Sequence, residues 1–146
     1  MKKVIVCGGR RYANRSFVKK ILDISHSSIT ISCVVHGGAG AFDPDTGEVL
    51  YGADLLAGEW AMENGIKIKD YTVTSADWKR YGKRAGILRN MQMFDHENPD
   101  YVIAFPGGTG TRQMVEYALN HGKEVLDANS LKIIKPYEPP SLEDFY

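Results

Sequence analysis

The chain has 146 residues, the size of one domain with room for one substantial core, and its 43% hydrophobic and 25% charged residues are ordinary for a soluble globular protein. Eighteen Lys and Arg balance 18 Asp and Glu, so no global field marks a nucleic-acid or anionic-membrane partner. The cations are scattered, apart from Lys79, Arg80, Lys83 and Arg84. Met1-Lys2-Lys3 precedes only four apolar residues, too few for a secretory core or a membrane span. Cys7 and Cys33 fall in apolar runs of strand character, which points to buried thiols, no disulfide and a reducing cytoplasm.

The predicted elements alternate. Residues 3–7 form a β-branched run that ends in Gly8-Gly9 and reads as a buried first strand. Asn14 or Ser16 caps a helix whose apolar positions Phe17, Val18, Ile21, Leu22 and Ile24 recur at helical spacing. Residues 30–36 are a second strand ending in Gly37-Gly38. Residues 41–51 contain Asp-Pro-Asp-Thr-Gly between short apolar stretches, which predicts a β-hairpin or small lid. A helix over 53–64 follows, stopped by Gly65, and then a third strand over 66–73. Residues 84–97 are helical, with Ile87, Leu88, Met91 and Phe94 or Asp95 on one stripe. Asn98-Pro99-Asp100 stops that helix before a fourth strand over 101–105. Pro106-Gly107-Gly108-Thr109-Gly110-Thr111 leads into a helix carrying Met114, Val115, Ala118 and Leu119. Two short strands, 123–126 and 131–134, precede an irregular tail over 136–146.

Such alternation calls for an α/β fold: a Rossmann-like three-layer sandwich with a mainly parallel sheet, plus the small hairpin insertion at 41–51. Residues 1–135 form its single domain. Ligands in such sheets bind beyond the carboxyl ends of the strands, where the strand order reverses.

The glycine-rich turns carry the chemistry. In Pro106-Gly107-Gly108-Thr109-Gly110-Thr111, glycines let an anion approach the backbone amides, and the following helix offers unpaired N–H groups with the positive end of its dipole. The run lacks Gly-Lys-Ser/Thr and the dinucleotide glycine spacing, so it is neither a P-loop nor a dinucleotide fingerprint. A tight strand–helix turn capped by Thr111 is the plainer reading. His36-Gly37-Gly38 and Gly8-Gly9-Arg10 end strands at the same edge of the sheet. There Arg10 can grip a phosphate with its planar fork and Tyr12 can stack on a base, while His36 reads more readily as structural than as a proton donor. Asp54 falls in the first turn of its helix, where a carboxylate either complements the dipole or accepts bonds from a ribose or base. Asp43, Asp45 and Asp54 imitate a calcium loop, but with the glycine one place early and Asp in place of the terminal Glu, so no metal is expected. Arg89 follows Ile87 by two residues, about 200° around a helix, which by spacing alone leaves it in solvent.

Six motifs taken in order resemble the YspA/YpsA-related family of the SLOG superfamily. They are Gly8-Gly9-Arg10, His36-Gly37-Gly38-Ala39, Gly52-Ala53-Asp54 with Leu56-Ala57, Asp77-Trp78, Gly86 with Arg89-Asn90 and Met93, and Ala104-Phe105-Pro106-Gly107-Gly108-Thr109-Gly110-Thr111. The resemblance runs from the first strand to about Val125. It implies a Rossmann-like fold, a nucleotide or ADP-ribose-type ligand, bacterial or phage origin (hence the host cytoplasm) and assembly into a homo-oligomer. It also implies ligand contacts at Gly8, Gly9, Arg10, His36, Gly37, Gly38, Asp54, Arg84, Arg89, Asn90 and Pro106 to Thr111, with no cofactor. The superfamily includes the Lonely Guy phosphoribohydrolases, and Arg89 matches the arginine of their Arg-Lys motif. Those hydrolases carry Pro-Gly-Gly-x-Gly-Thr-x-x-Glu; here the glutamate position is Met114, and Asn90 replaces their lysine. Methionine neither accepts a proton nor stabilises the charge on a breaking glycosidic bond. The expectation is therefore a non-catalytic nucleotide binder, a sensor or sequestering protein. The alternative is a nucleoside-monophosphate phosphoribohydrolase that uses Arg89 with another carboxylate, Asp54 or Glu116.

Overall fold

A computed structural model describes residues 1–137, so most of the tail expected over 136–146 lies outside the described residues. Its elements are β1 (Lys2–Cys7), α1 (Arg15–Ile29), β2 (Ile31–His36), β3 (Ala41–Phe42), β4 (Val49–Tyr51), α2 (Ala53–Glu63), β5 (Lys67–Asp70), α3 (Ser75–Tyr81), α4 (Arg84–Glu97), β6 (Tyr101–Ala104), α5 (Thr109–Asn120), β7 (Val125–Asp127) and β8 (Lys132–Ile134). The main sheet has the order β5-β2-β1-β6-β7-β8, parallel except for β8, while β3 and β4 make a separate antiparallel hairpin. Strand order reverses between β1 and β6, which run side by side from Val4 opposite Tyr101 to Cys7 opposite Ala104. The Rossmann-like α/β expectation holds.

The sheet is covered on both faces because its central strands carry consecutive buried apolar residues, at 4–7, 33–35 and 102–104. Val4 and Val6 point into one core with Val18 and Leu22 of α1 and Leu56 and Trp60 of α2; Ile5 and Val35 point into another with Met93 and Phe94 of α4 and Met114 and Leu119 of α5. Strands buried on both faces read as continuous apolar runs, as β1, β2 and β6 do. The hairpin is anchored at its root, where Val49 enters the first core and its carbonyl accepts from Arg15, which also pairs with Glu59 of α2 at 2.8 Å. No helix among the described residues is long and apolar enough to cross a membrane.

Three expectations are corrected and one element is added. Thr30 does not open β2; it ends α1 in the left-handed conformation (φ 50°), its N–H bonded to His26 O. The strand expected over 66–73 stops at Asp70, whose carboxylate accepts from Thr72 N at 2.8 Å and turns the chain. Residues 75–81 form a helix, capped by Thr74 through Asp77 N. The buried faces also differ: α1 buries Ser25 and leaves Ile24 exposed, because 18, 21, 22 and 25 make the stripe. On α4, Ile87 and Leu88 are exposed while Ala85, Asn90, Met93, Phe94 and Glu97 are buried. That rotation turns Arg89 towards the protein, opposite to the reading from spacing.

Candidate functional site

A cavity of about 770 Å³ opens at the carboxyl ends of β1, β2 and β6, beside the reversal of strand order and within the size range of small-molecule sites. Three glycine turns build it. Gly8 continues β1 between α2 and the end of β6; a Cβ there would lie 2.6 Å from Ala53 Cβ and 2.9 Å from Phe105 Cβ. Gly9 N donates to Pro106 O at 2.8 Å, which stitches the first turn to the third. A Cβ on Gly107 would meet that same Gly9 nitrogen at 2.8 Å. Gly8, Gly9 and Gly107 are thus required by close packing, and Pro106 and Gly107 are exposed and do not line the cavity.

Gly108 and Gly110 differ, since a Cβ on either would meet nothing within 4 Å. Gly108 caps α5 without a side-chain bond, and no acidic residue occupies the first turn. The first N–H to find a backbone acceptor there is Arg112, bonded to Gly108 O at 3.0 Å. No acceptor among the described residues takes the N–H groups of Thr109, Gly110 or Thr111, and all three residues line the cavity. Three free amides and the positive end of a 12-residue helix make a ready anion seat.

The second turn centres on Gly37. Gly37 N donates to Asp54 Oδ2 at 3.2 Å, Ala39 N donates to the same oxygen at 3.1 Å, and Gly37 O accepts from Arg89 Nη1. The Arg89 guanidinium lies against Gly37 Cα, where a Cβ would collide with it. Arg89 Nε donates to Asn90 Oδ1 at 2.9 Å, and Asn90 Nδ2 reaches Gly110 O at 3.2 Å and Gln113 Oε1 at 3.0 Å. Asn90 therefore ties α4 to the first turn of α5 and aims the arginine, leaving Nη2 without a protein acceptor among the described residues. Burial pushes the Asp54 carboxyl up to about 6 despite the opposing pull of the Ala39 N–H, the Arg89 charge and the Gly37 N–H. Cys7, at the floor, is pushed up by burial and by the Asp54 charge, so its thiol stays protonated and unreactive.

Of the expected contacts, Gly8, Gly9, Arg10, Gly37, Gly38 and Asp54 line the cavity, as do Arg89, Asn90 and Gly108 to Thr111. His36 does not. It is buried, its Nδ1 accepts from Gly38 N at 3.0 Å, and Nε2 faces Gly58, where a Cβ would come to 3.0 Å. Burial pushes its pKa down, with Asp70 opposing and Arg89 adding, so the ring is a neutral brace. Arg84 is exposed and off the wall; Lys83 lines it instead. Tyr12 packs on Phe105 with centroids 5.8 Å apart and does not reach the cavity. Glu116 is exposed on α5, accepting from Tyr137 Oη at 2.9 Å, and Met114 is sealed in the core. Asp43 holds the hairpin turn through Asp45 N at 2.8 Å and Thr46 N at 3.2 Å.

Two aromatic wall residues went unread as contacts: Phe42 on the hairpin, 55% exposed, and Trp78 on α3, 45% exposed. The available signal was a lone tryptophan in an otherwise polar stretch, 74–86. Three cations, Arg10, Lys83 and Arg89, share the wall with one carboxylate, Asp54, so a neutral chain has a positive cavity.

No family model matches this chain. It is 35% identical over 134 residues to the Gene 61 protein of Mycobacterium phage D29, an overlap covering 87% of this chain and 96% of that protein.

Proposed function

We propose that this chain, which belongs to the family of the Gene 61 protein of Mycobacterium phage D29, binds a nucleotide or ADP-ribose-type ligand and releases it unchanged, as a sensor or sequestering protein. The observation that carries this reading is the set of free amides on Thr109, Gly110 and Thr111 together with the uncommitted Arg89 Nη2, on residues that line one positive cavity. Charge-assisted bonds from such donors favour phosphate oxygens over neutral groups. Phe42 and Trp78 add flat apolar surface suited to a base. The SLOG resemblance points to the same ligand class and, with it, to a homo-oligomer in the host cytoplasm. Met114 supports the absence of turnover, since it puts an apolar core side chain where the hydrolases of the resembled superfamily carry glutamate.

A second reading has one observation in its favour: Asp54 is a buried carboxylate on the cavity wall with its pKa raised to about 6, the range useful to a general acid or base. That reading makes the chain a phosphoribohydrolase through Asp54 and Arg89, without Glu116. Calorimetry against nucleoside mono- and diphosphates, ADP-ribose and cyclic ADP-ribose isomers tests the first reading. Binding is expected, and silence at millimolar ligand removes it. Chromatography of the same mixtures separates the two: intact ligand recovered after heat denaturation fits a binder, and free base with ribose phosphate fits the hydrolase.

A further inference from the structure

Asp54 is 5% exposed, yet only half of its carboxylate is used. Oδ2 takes both the Gly37 and Ala39 amides, whereas Oδ1 has no hydrogen-bond partner among the described residues. No buried side-chain oxygen or nitrogen among those residues is both sealed from solvent and unpartnered, so Oδ1 must open onto the cavity that Asp54 lines. An ionised carboxylate accepts and never donates. It therefore repels a phosphate oxygen and calls for an O–H or N–H from whatever fills the space before it.

Arg89 and Asp54 grip the two backbone sides of Gly37, one at its carbonyl and the other at its N–H, and no ion pair within 4 Å joins them. The floor thus presents a free cationic donor and a free anionic acceptor on either side of Gly37, neither satisfied by the other. Phe42 and Trp78, by contrast, are exposed wall residues at the mouth. A nucleobase carries no anion and fits the aromatic mouth. The group that offers an anionic oxygen and hydroxyl donors side by side is a ribose phosphate. The geometry points to Asp54 as the reader of ribose: its Oδ1 accepts from the 2′- or 3′-hydroxyl, making the cavity selective for ribonucleotides over their deoxy counterparts. This inference rests on the phosphate reading of the cavity and adds the sugar to it.

Discrimination against an analogue lacking a bonded hydroxyl is large when the partner group is left buried and unpaired. Calorimetry is run with AMP, 2′-deoxy-AMP, 3′-deoxy-AMP, ADP-ribose and its 2′-deoxy analogues on the native chain and on Asp54→Asn. At least one deoxy analogue should bind about tenfold or more weakly to the native chain, by the lost charge-assisted bond. Asp54→Asn, which keeps an oxygen for the Gly37 and Ala39 amides, should shrink that ratio to about threefold or less. Equal affinity of the native chain for ribo and deoxy ligands overturns the inference and leaves the phosphate reading intact. An equal loss for every ligand in Asp54→Asn, with the ratio retained, makes Asp54 a loop brace and overturns it as well. Silence of the native chain to the whole panel overturns both. The native-chain ratio needs no variant, so a misfolded Asp54→Asn does not protect the idea.

Discussion

Asp54 and Glu97 are two carboxylates buried to nearly the same degree, 5% and 7% exposed, on α2 and α4. Glu97 is fully engaged. Oε1 takes Lys3 Nζ at 3.1 Å and Lys69 Nζ at 3.0 Å, and Oε2 accepts from Tyr71, so one side chain clasps β1, the end of β5 and α4 together. Burial raises its pKa, but the Tyr71, Lys69 and Lys3 bonds outweigh that and hold it down at about 2. Asp54 receives two backbone amides on one oxygen and nothing on the other, and burial wins, lifting it to about 6. Burial alone does not separate a structural acid from a functional one. The unfilled half of the hydrogen-bonding shell does, because an energetic deficit in the empty protein is what a ligand can relieve.

The comparison breaks most visibly at Glu97. Glu97→Ala leaves two ammonium groups and a phenol without their shared acceptor and should cost about 3 kcal/mol or more in chemical denaturation, with nucleotide affinity unchanged within about twofold. Loss of affinity in a variant that still folds would mean the clasp belongs to the site. At the cavity the prediction reverses: Arg89→Ala should weaken nucleotide binding by about 100-fold in calorimetry, from the charge-assisted bonds to phosphate, while the fold persists. A smaller and more diagnostic effect concerns pH. Glu97 has its folded pKa below the ordinary 4.5, so its contribution is present above that value and lost as pH falls through about 2. Asp54 has its folded pKa above the ordinary 3.8, so its contribution is present below about 4 and lost as pH rises through about 6. Asp54→Asn should therefore match the native chain near pH 4 and exceed its stability by about 2 kcal/mol near pH 7. Equal stability throughout would show that Oδ1 is satisfied in the free protein. Smallest is Gly37→Ala, whose Cβ meets the movable guanidinium of Arg89. It should fold normally and bind about tenfold more weakly, since the arginine is displaced rather than removed.

The fold was legible because apolar runs and glycine turns alternate at βα spacing, and the runs of β1, β2 and β6 are buried on both faces, as in a parallel sheet between helix layers. The orientation of α4 was not. Of Ile87, Leu88, Met91 and Phe94, the apolar residues that spacing selects, only Phe94 is buried, and the helix also faces inward through Ala85, Arg89, Asn90, Met93 and Glu97. Hydrophobic periodicity assumes that the buried face is the apolar one, and that assumption fails where a helix forms a polar wall and a clasp. The same failure concealed Glu97, whose partners Lys3, Lys69 and Tyr71 are brought to it only by strand pairing. Tyr12 errs in the opposite direction, and so does the His36 contact implied by the resemblance, although the reading of His36 as structural fits its buried ring. Each ends near a glycine turn, but neighbours distant in sequence, Gly58 and Phe105, draw their rings away from the cavity. Short α3 escaped notice because it buries nothing and so has no apolar stripe.

Amide NMR of the labelled chain titrated with AMP, ADP-ribose and inorganic phosphate is the most direct measurement of whether the α5 amides seat an anion. The account predicts saturable shifts at Thr109, Gly110 and Thr111 and at the Arg89 side chain, present with all three probes and absent at Glu97. Shifts confined to the surface cations Lys79 and Arg80, or no shift in the α5 amides at ligand saturation, would contradict it.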